Sequence, residues 1–222
     1  MFLFFSKGDV PHNRKIICRP PLNSRLAEAV GIMLGDGCNY ANVRRNCYQI
    51  RIASNFRTEQ NYLLNYIAPL FESLFKIKGR ILRWPEHGVA YLCFDSKELG
   101  RFFDSIGVPF GRIKSSHGIP SWVWKDEVFL KSCLRGLFDT DGSIYRLDQN
   151  FPNLLRISFK NSNLCLLEDV RKALIILGFH PCKITNRQVH LTRKKDIKLF
   201  MDEIGFNNSK NQERFRLFSP VV

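Results

Sequence analysis

The sequence predicts an α+β protein built from two like halves, each running helix, two strands, helix, two strands, helix: an αββαββα unit used twice. The first observation behind this is an internal repeat. Residues 26–37 read LAEAVGIMLGDG and residues 131–142 read KSCLRGLFDTDG, which sets Gly31, Asp36 and Gly37 against Gly136, Asp141 and Gly142 at a constant offset of 105. The second is that the same patterns follow each copy in the same order: an alternating run (47–54 and 154–161), a helical run (59–75 and 163–179), a short hairpin, and a final amphipathic run ending in IGV or IGF. The third is a cluster of breakers, Gly107, Pro109, Gly111, Gly118 and Pro120, which places the join there and divides the chain into 1–114 and 115–222.

The elements follow in order. Pro20 and Pro21 precede Asn23 and Ser24, either of which can cap a helix over about 25–35. Within it Ala27, Gly31 and Gly35 recur every four residues and clear one face of side chains. Each glycine costs about 1 kcal/mol of helix propensity, so two of them imply a close backbone approach that outweighs the cost. Hairpins are expected over 38–54 and 80–94. Ile50 and Ile52 alternate with Gln49, Arg51 and Ala53, the pattern of a sheet with one face on helices and one polar. In the second half Ser121 or Asp126 opens a helix ending near 140, with Gly136 and Thr140 at the stations of Gly31 and Gly35. Hairpins over 143–161 and 183–193 follow, Leu155, Ile157 and Phe159 alternating with Arg156, Ser158 and Lys160. The natural partner of one small-residue helix face is its duplicate, which predicts a pseudo-twofold helix pair at the centre.

Composition narrows the function. A chain of 222 residues that is 45% hydrophobic can bury a substantial core, and a net charge of +14, from 34 Lys+Arg against 20 Asp+Glu, calls for a polyanionic partner, nucleic acid ahead of membrane. No run approaches the roughly 18 to 20 apolar residues of a membrane span, so a secreted or integral membrane protein is not expected. Seven cysteines, odd in number and without a C-x-x-C pair, signal neither a disulfide framework nor a zinc knuckle and fit a reducing, intracellular compartment. The host compartment, prokaryotic cytoplasm or organelle, stays open, and MFLFFSKGD is too poor in basic residues for a transit peptide. Without splicing segments flanking the repeats, an intein origin is not expected. The 19 phenylalanines lie mainly in apolar runs such as LFESLF and GRFFDSIG, which reads as core rather than a platform for stacked single-stranded bases.

If the two repeated helices pack in parallel, their C-terminal ends bring Asp36 and Asp141 together. A helix C-terminus already has negative dipole character, and two carboxylates there repel. A divalent cation with hard oxygen ligands, magnesium above all, removes that penalty, and beside a basic sheet it would meet a phosphodiester backbone. Asp-Gly as a plain helix-ending turn is the alternative, weakened by its appearance twice at matched positions.

These two segments, LAEAVGIMLGDG and CLRGLFDTDG, resemble the paired motifs of the LAGLIDADG homing endonucleases, and the order of elements after each motif is similar to that family over nearly the whole chain. Two motifs in one short chain are similar to the monomeric class. The resemblance implies two four-stranded antiparallel sheets forming a saddle over duplex DNA, and a site-specific, Mg2+-dependent double-strand endonuclease leaving short 3′ overhangs, with Mn2+ or Ca2+ able to substitute in binding. It implies a metal site at the motif ends made by Asp36, Asp141, Gly35 and Thr140. Solvent-organising roles go to Ser54 and Asn161, Lys160 competing with Asn161 if the register slips, and to Lys114 and Lys210. Asp139, where the first motif has Leu34, reads as a helix-end or solvent-network residue rather than a ligand.

On such sheets alternate side chains would face the DNA. Arg44, Arg45, Gln49, Arg51, Arg80 and Arg83 in the first half, and Arg146, Arg156, Ser158, Lys183, Arg187 and Arg193 in the second, are candidate base readers or phosphate clamps. The expected partner is double-stranded DNA with a long asymmetric site. Two rival readings remain: an RNA maturase whose partner is intron RNA, and a non-cleaving DNA-binding regulator.

Overall fold

The computed structural model describes residues 16–111, 117–148 and 154–218. The expected join at 114/115 therefore lies outside the described residues. Helix α1 spans Ser24–Gly35, and of the two possible caps Asn23 is the one used: its side chain accepts the Leu26 N–H at 2.9 Å. Strands β1 (Gly37–Asn42) and β2 (Cys47–Asn55) follow. A continuous rod comes next, formed by α2 (Gln60–Tyr62), a π turn at Leu63–Ile67 and α3 (Ala68–Phe75). Strands β3 (Arg80–Trp84) and β4 (Val89–Phe94) and helix α4 (Lys97–Ser105) complete the first half.

In the second half α5 (Glu127–Asp141) starts at Asp126, whose carboxylate accepts the Val128 N–H at 2.7 Å. Then come β5 (Gly142–Arg146), β6 (Leu155–Lys160), α6 (Leu164–Ile176), β7 (Gln188–Leu191), α7 (Lys194–Glu203) and α8 (Ser209–Phe218). Helix α8 extends beyond the amphipathic run expected to close the second half.

The first sheet is four-stranded and antiparallel in the order β1-β2-β4-β3, as expected. The second has three strands among the described residues, β5-β6-β7, rather than four. The segment 182–187 makes only fragments of a ladder: Cys182 N–H donates to the His190 carbonyl at 3.0 Å, and Thr185 bridges Gln188. Asn186 and Arg187 both adopt positive φ, 51° and 56°, to make a tight turn immediately before a four-residue strand. Pro181 has no N–H to give, so too few residues remain to extend the pairing.

The core joins both halves. Phe71, Phe75, Phe94 and Phe103 fill the first and Phe138, Phe159 and Phe200 the second, all essentially inaccessible. The inward strand residues Ile50, Ile52, Leu155, Ile157 and Phe159 are buried as their alternation predicts. Between the halves, α1 and α5 pack backbone to backbone. A Cβ on Gly31 would strike the Cys133 carbonyl, and one on Gly136 would strike the Glu28 carbonyl. The glycines are what let the two helices approach, and that approach brings their C-terminal ends together. No helix among the described residues is long and apolar enough to cross a membrane.

Candidate functional site

Asp36 caps the C-terminus of α1, its N–H bonded to the Ile32 carbonyl at 3.1 Å, and Asp141 is the last residue of α5. A Cβ on Gly35 would overlap the Thr140 hydroxyl and come within 3.4 Å of the Asp141 carboxylate. The two motif ends thus abut. Burial raises the Asp36 carboxyl from 3.8 to about 7, helped by the negative charges of Asp141 and Glu59 and opposed by the Lys210 ammonium. Burial also raises Asp141 to about 6, against an opposing hydrogen bond from Asn161 Nδ2 at 2.7 Å. Each acid is therefore held reluctantly as a carboxylate, an imbalance that a cation would correct.

The donor set fits a divalent metal of the oxygen-seeking kind. Two carboxylates meet where two helices end, and among the described residues no group of three or more His, Cys, Asp or Glu side chains closes around a point as in a structural metal cage. A site with so few protein ligands suits an ion that keeps waters or takes phosphate oxygens.

Of the four solvent-organising residues expected around the acids, two are in place. Asn161 bonds Asp141 directly, and Lys210 reaches across from the second half to Glu59 Oε1 at 2.9 Å, beside Asp36. Ser54 is buried on the helix side of β2 and donates to the Glu59 carbonyl at 3.3 Å, next to Ala53, whose N–H bonds the Asp36 carbonyl at 3.0 Å. The polar group next to Asp36 on this side is Glu59, which the sequence reading missed. Its place at the start of a helix marks it as a cap residue, and only the fold shows that the cap adjoins the acid pair. Lys114 lies outside the described residues.

The expected nucleic-acid face is partly as drawn. On the first sheet Gln49, Arg51 and Arg80 share the face away from the helices, but they are tied to one another. Asp95 accepts from Arg80 Nε and Nη2 at 3.0 and 2.7 Å and from Gln49 Nε2 at 2.6 Å, while Arg51 donates to Gln49 Oε1. Arg44 and Arg45 stand exposed in the β1–β2 turn. Arg83 pairs with Ala90 and so occupies the opposite face from Arg80. In the second sheet Arg156 and Ser158 lie on the open face with Tyr145 and His190. Burial and the Arg156 charge hold the His190 imidazole below its usual value. Arg146 turns the other way: it donates to the Leu217 carbonyl at 3.1 Å and covers the Phe218 ring at 4.9 Å, anchoring α8. Lys183 and Arg187 sit in the exposed turn before β7, and Arg193 caps α7. Arg187 also borders, with Asp141, Lys160 and Asn161, a cavity of about 820 Å³ beside the acid pair.

The fold has counterparts among known proteins. Residues 129–216 match the family described as LAGLIDADG-like domain. No curated protein matches the sequence. Among solved structures, I-DmoI in complex with DNA and Ca is 21% identical, with a TM-score of 0.57, covering 87% of this chain and 96% of that one. Mesophilic variants of the homing endonuclease I-DmoI give 20% identity and a TM-score of 0.55, covering 82% of this chain and 95% of that one. Full-length DUF199/WhiA from Thermatoga maritima gives 18% and 0.50, covering 91% of this chain and 63% of that one. The second half is thus similar to the LAGLIDADG-like domain family, and over most of its length the chain has a fold like that of the homing endonuclease I-DmoI.

Proposed function

We propose that the protein is a site-specific endonuclease that hydrolyses both strands of duplex DNA with divalent metal, Mg2+ as the working ion and Mn2+ or Ca2+ as alternatives in binding, leaving short 3′ overhangs. It acts as a monomer on a long asymmetric site. The observation that carries this reading is the meeting of Asp36 and Asp141, one acid from each half, at the abutting ends of α1 and α5. One site fed equally by both halves suits a substrate with two strands.

Asp36 and Asp141 would hold the metal, with the helix ends at Gly35 and Thr140 shaping the space between them. Bound there, a divalent ion supplies a nucleophile at neutral pH and charge neutralisation at the scissile phosphate. Asn161 fixes the rotamer of Asp141 by donating to one carboxylate oxygen, leaving the other for a ligand. Lys210 Nζ places a positive charge beside Asp36, where the phosphate must approach. The polar sheet faces and the +14 charge hold the duplex across the junction.

The test is linearisation of a plasmid carrying the host sequences that flank the coding element, joined together, with Mg2+ present. The wild-type protein linearises it, and Asp36→Asn and Asp141→Asn do not. Unchanged cleavage in both variants would sink the assignment. Binding to the duplex without cleavage would indicate a regulator, and Mg2+-independent binding to the flanked transcript a maturase.

A further inference from the structure

The second motif carries a buried acid, Asp139, where the first has Leu34, and the proposed chemistry assigns it no part. Asp139 is 1% exposed. Its carboxylate accepts the backbone N–H of Asn207 at 2.9 and 3.1 Å, the N–H of Asn208 at 3.0 Å and the Tyr62 hydroxyl at 3.2 Å. Its own carbonyl accepts from Asn208 Nδ2 at 2.9 Å. Asn208 Oδ1 in turn accepts the Lys210 N–H at 3.1 Å at the start of α8. From there Lys210 Nζ reaches Glu59 Oε1 at 2.9 Å, and both groups bear on Asp36. A run of hydrogen bonds therefore leads from the second motif, through the turn before α8, to Glu59, whose charge and that of Lys210 act on the first motif's acid.

Among the described residues the first half has no such run, and its sequence departs at both ends of the contact. IGF is followed by Asn207 and Asn208, whereas IGV is followed by Pro109 and Phe110. Leu34 has no acceptor and Pro109 no N–H, so donor and acceptor are missing together. The Phe110 N–H goes instead to Asp104 Oδ1 at 3.4 Å.

We infer that Asp139 is a positioning residue: by holding the Asn207–Asn208 turn it seats α8 so that Lys210 of the second half stands against Asp36 of the first. Among the described residues no matching run reaches Asp141 from the first half. This inference rests on the nuclease reading for its strand-specific consequence, though not for the placement of Lys210 itself.

The experiment compares Asp139→Leu, which copies the first motif, with Asp139→Asn, whose Oδ1 can still accept from both amides. Asn208→Ala breaks the same run without touching α5, and Lys210→Met serves as the reference. Folding of each is checked by thermal melting. Cleavage of the two strands is followed separately on an end-labelled duplex. Asp139→Leu, Asn208→Ala and Lys210→Met should slow the same one strand by about 10- to 100-fold, the range for groups that orient a metal site's neighbours. Nicked product should then accumulate, and Asp139→Asn should behave as wild type. Independently of cleavage, the reactivity of Lys210 towards an acetylating reagent, read by mass spectrometry against the other lysines, should rise in Asp139→Leu and Asn208→Ala. Equal slowing of both strands, or Lys210 reactivity unchanged in a folded Asn208→Ala protein, overturns the inference. If the wild-type protein cuts nothing, the nuclease reading fails and the lysine labelling still decides the placement.

Discussion

Asp36 shows how one residue ties the pH response of the protein to its ligand. Its folded value of about 7 lies above the ordinary 3.8, so between those values the folded chain keeps a proton that the unfolded chain has released. Stability of the metal-free protein should therefore fall as pH rises through that window, with Asp141 adding to the fall up to about pH 6. Asp36→Asn removes the penalty and should stabilise the metal-free protein at pH 8 by about 1–3 kcal/mol, since one pKa unit is worth about 1.4 kcal/mol. The same change should abolish metal-dependent stabilisation. Melting curves in EDTA and in Ca2+ between pH 5 and pH 8, about the range over which these acids change charge, check both: a flat wild-type profile in EDTA would contradict the reading. The acid pair itself was legible in the sequence because it repeats at one offset. Glu59 was not, because what makes it part of the site is the return of the chain beside Asp36, which no local pattern records.

At the scale of elements the glycine-lined contact between α1 and α5 is the least tolerant place in the fold. A valine at position 136 must displace the Glu28 carbonyl of a helix that cannot move without carrying Asp36 with it. Gly136→Val should cost about 1–3 kcal/mol or more, the range for overpacking, and should disturb metal binding as well as the melting temperature. A variant that melts like wild type and binds metal normally would show that the helices do not depend on this approach. The helix pair followed from the repeat and its small-residue face, and the buried face of the first sheet from the alternation of Ile50 and Ile52 with Gln49 and Arg51. Strand parity also places Ser54 and Arg83 on the helix side of the first sheet, Ser54 buried and Arg83 exposed there. The missing fourth strand of the second sheet and the existence of α8 had weaker signals. The first depends on how a turn at Asn186 and Arg187 uses up residues, and the second on a polar run whose seat is made by Asp139 and Arg146 from elsewhere in the chain.

For the whole molecule the dominant quantity is charge. An excess of +14 makes binding to DNA a counterion-release process, so log K against log salt should be linear with a slope near −0.9 for each phosphate neutralised. Replacing one exposed turn arginine, Arg44 or Arg45, should reduce the slope by about 1 if that residue clamps a phosphate. A slope indifferent to salt would remove the duplex as the partner. Gln49, Arg51 and Arg80 should behave differently, because Asp95 already spends part of their hydrogen-bonding capacity. Their orientation is fixed before DNA arrives, which favours discrimination over raw attraction.

The reach of Lys210 to Glu59 also bears on how such a chain could be divided. Its two halves look like duplicate copies, yet the lysine beside the first copy's acid is carried on the last helix of the second. Expressed as separate fragments, the first half would hold Asp36 without the Lys210 charge and the second would hold that lysine without Glu59 to face. Regaining function by mixing the fragments would then require α8 to dock onto the other piece, in addition to the packing of α1 on α5.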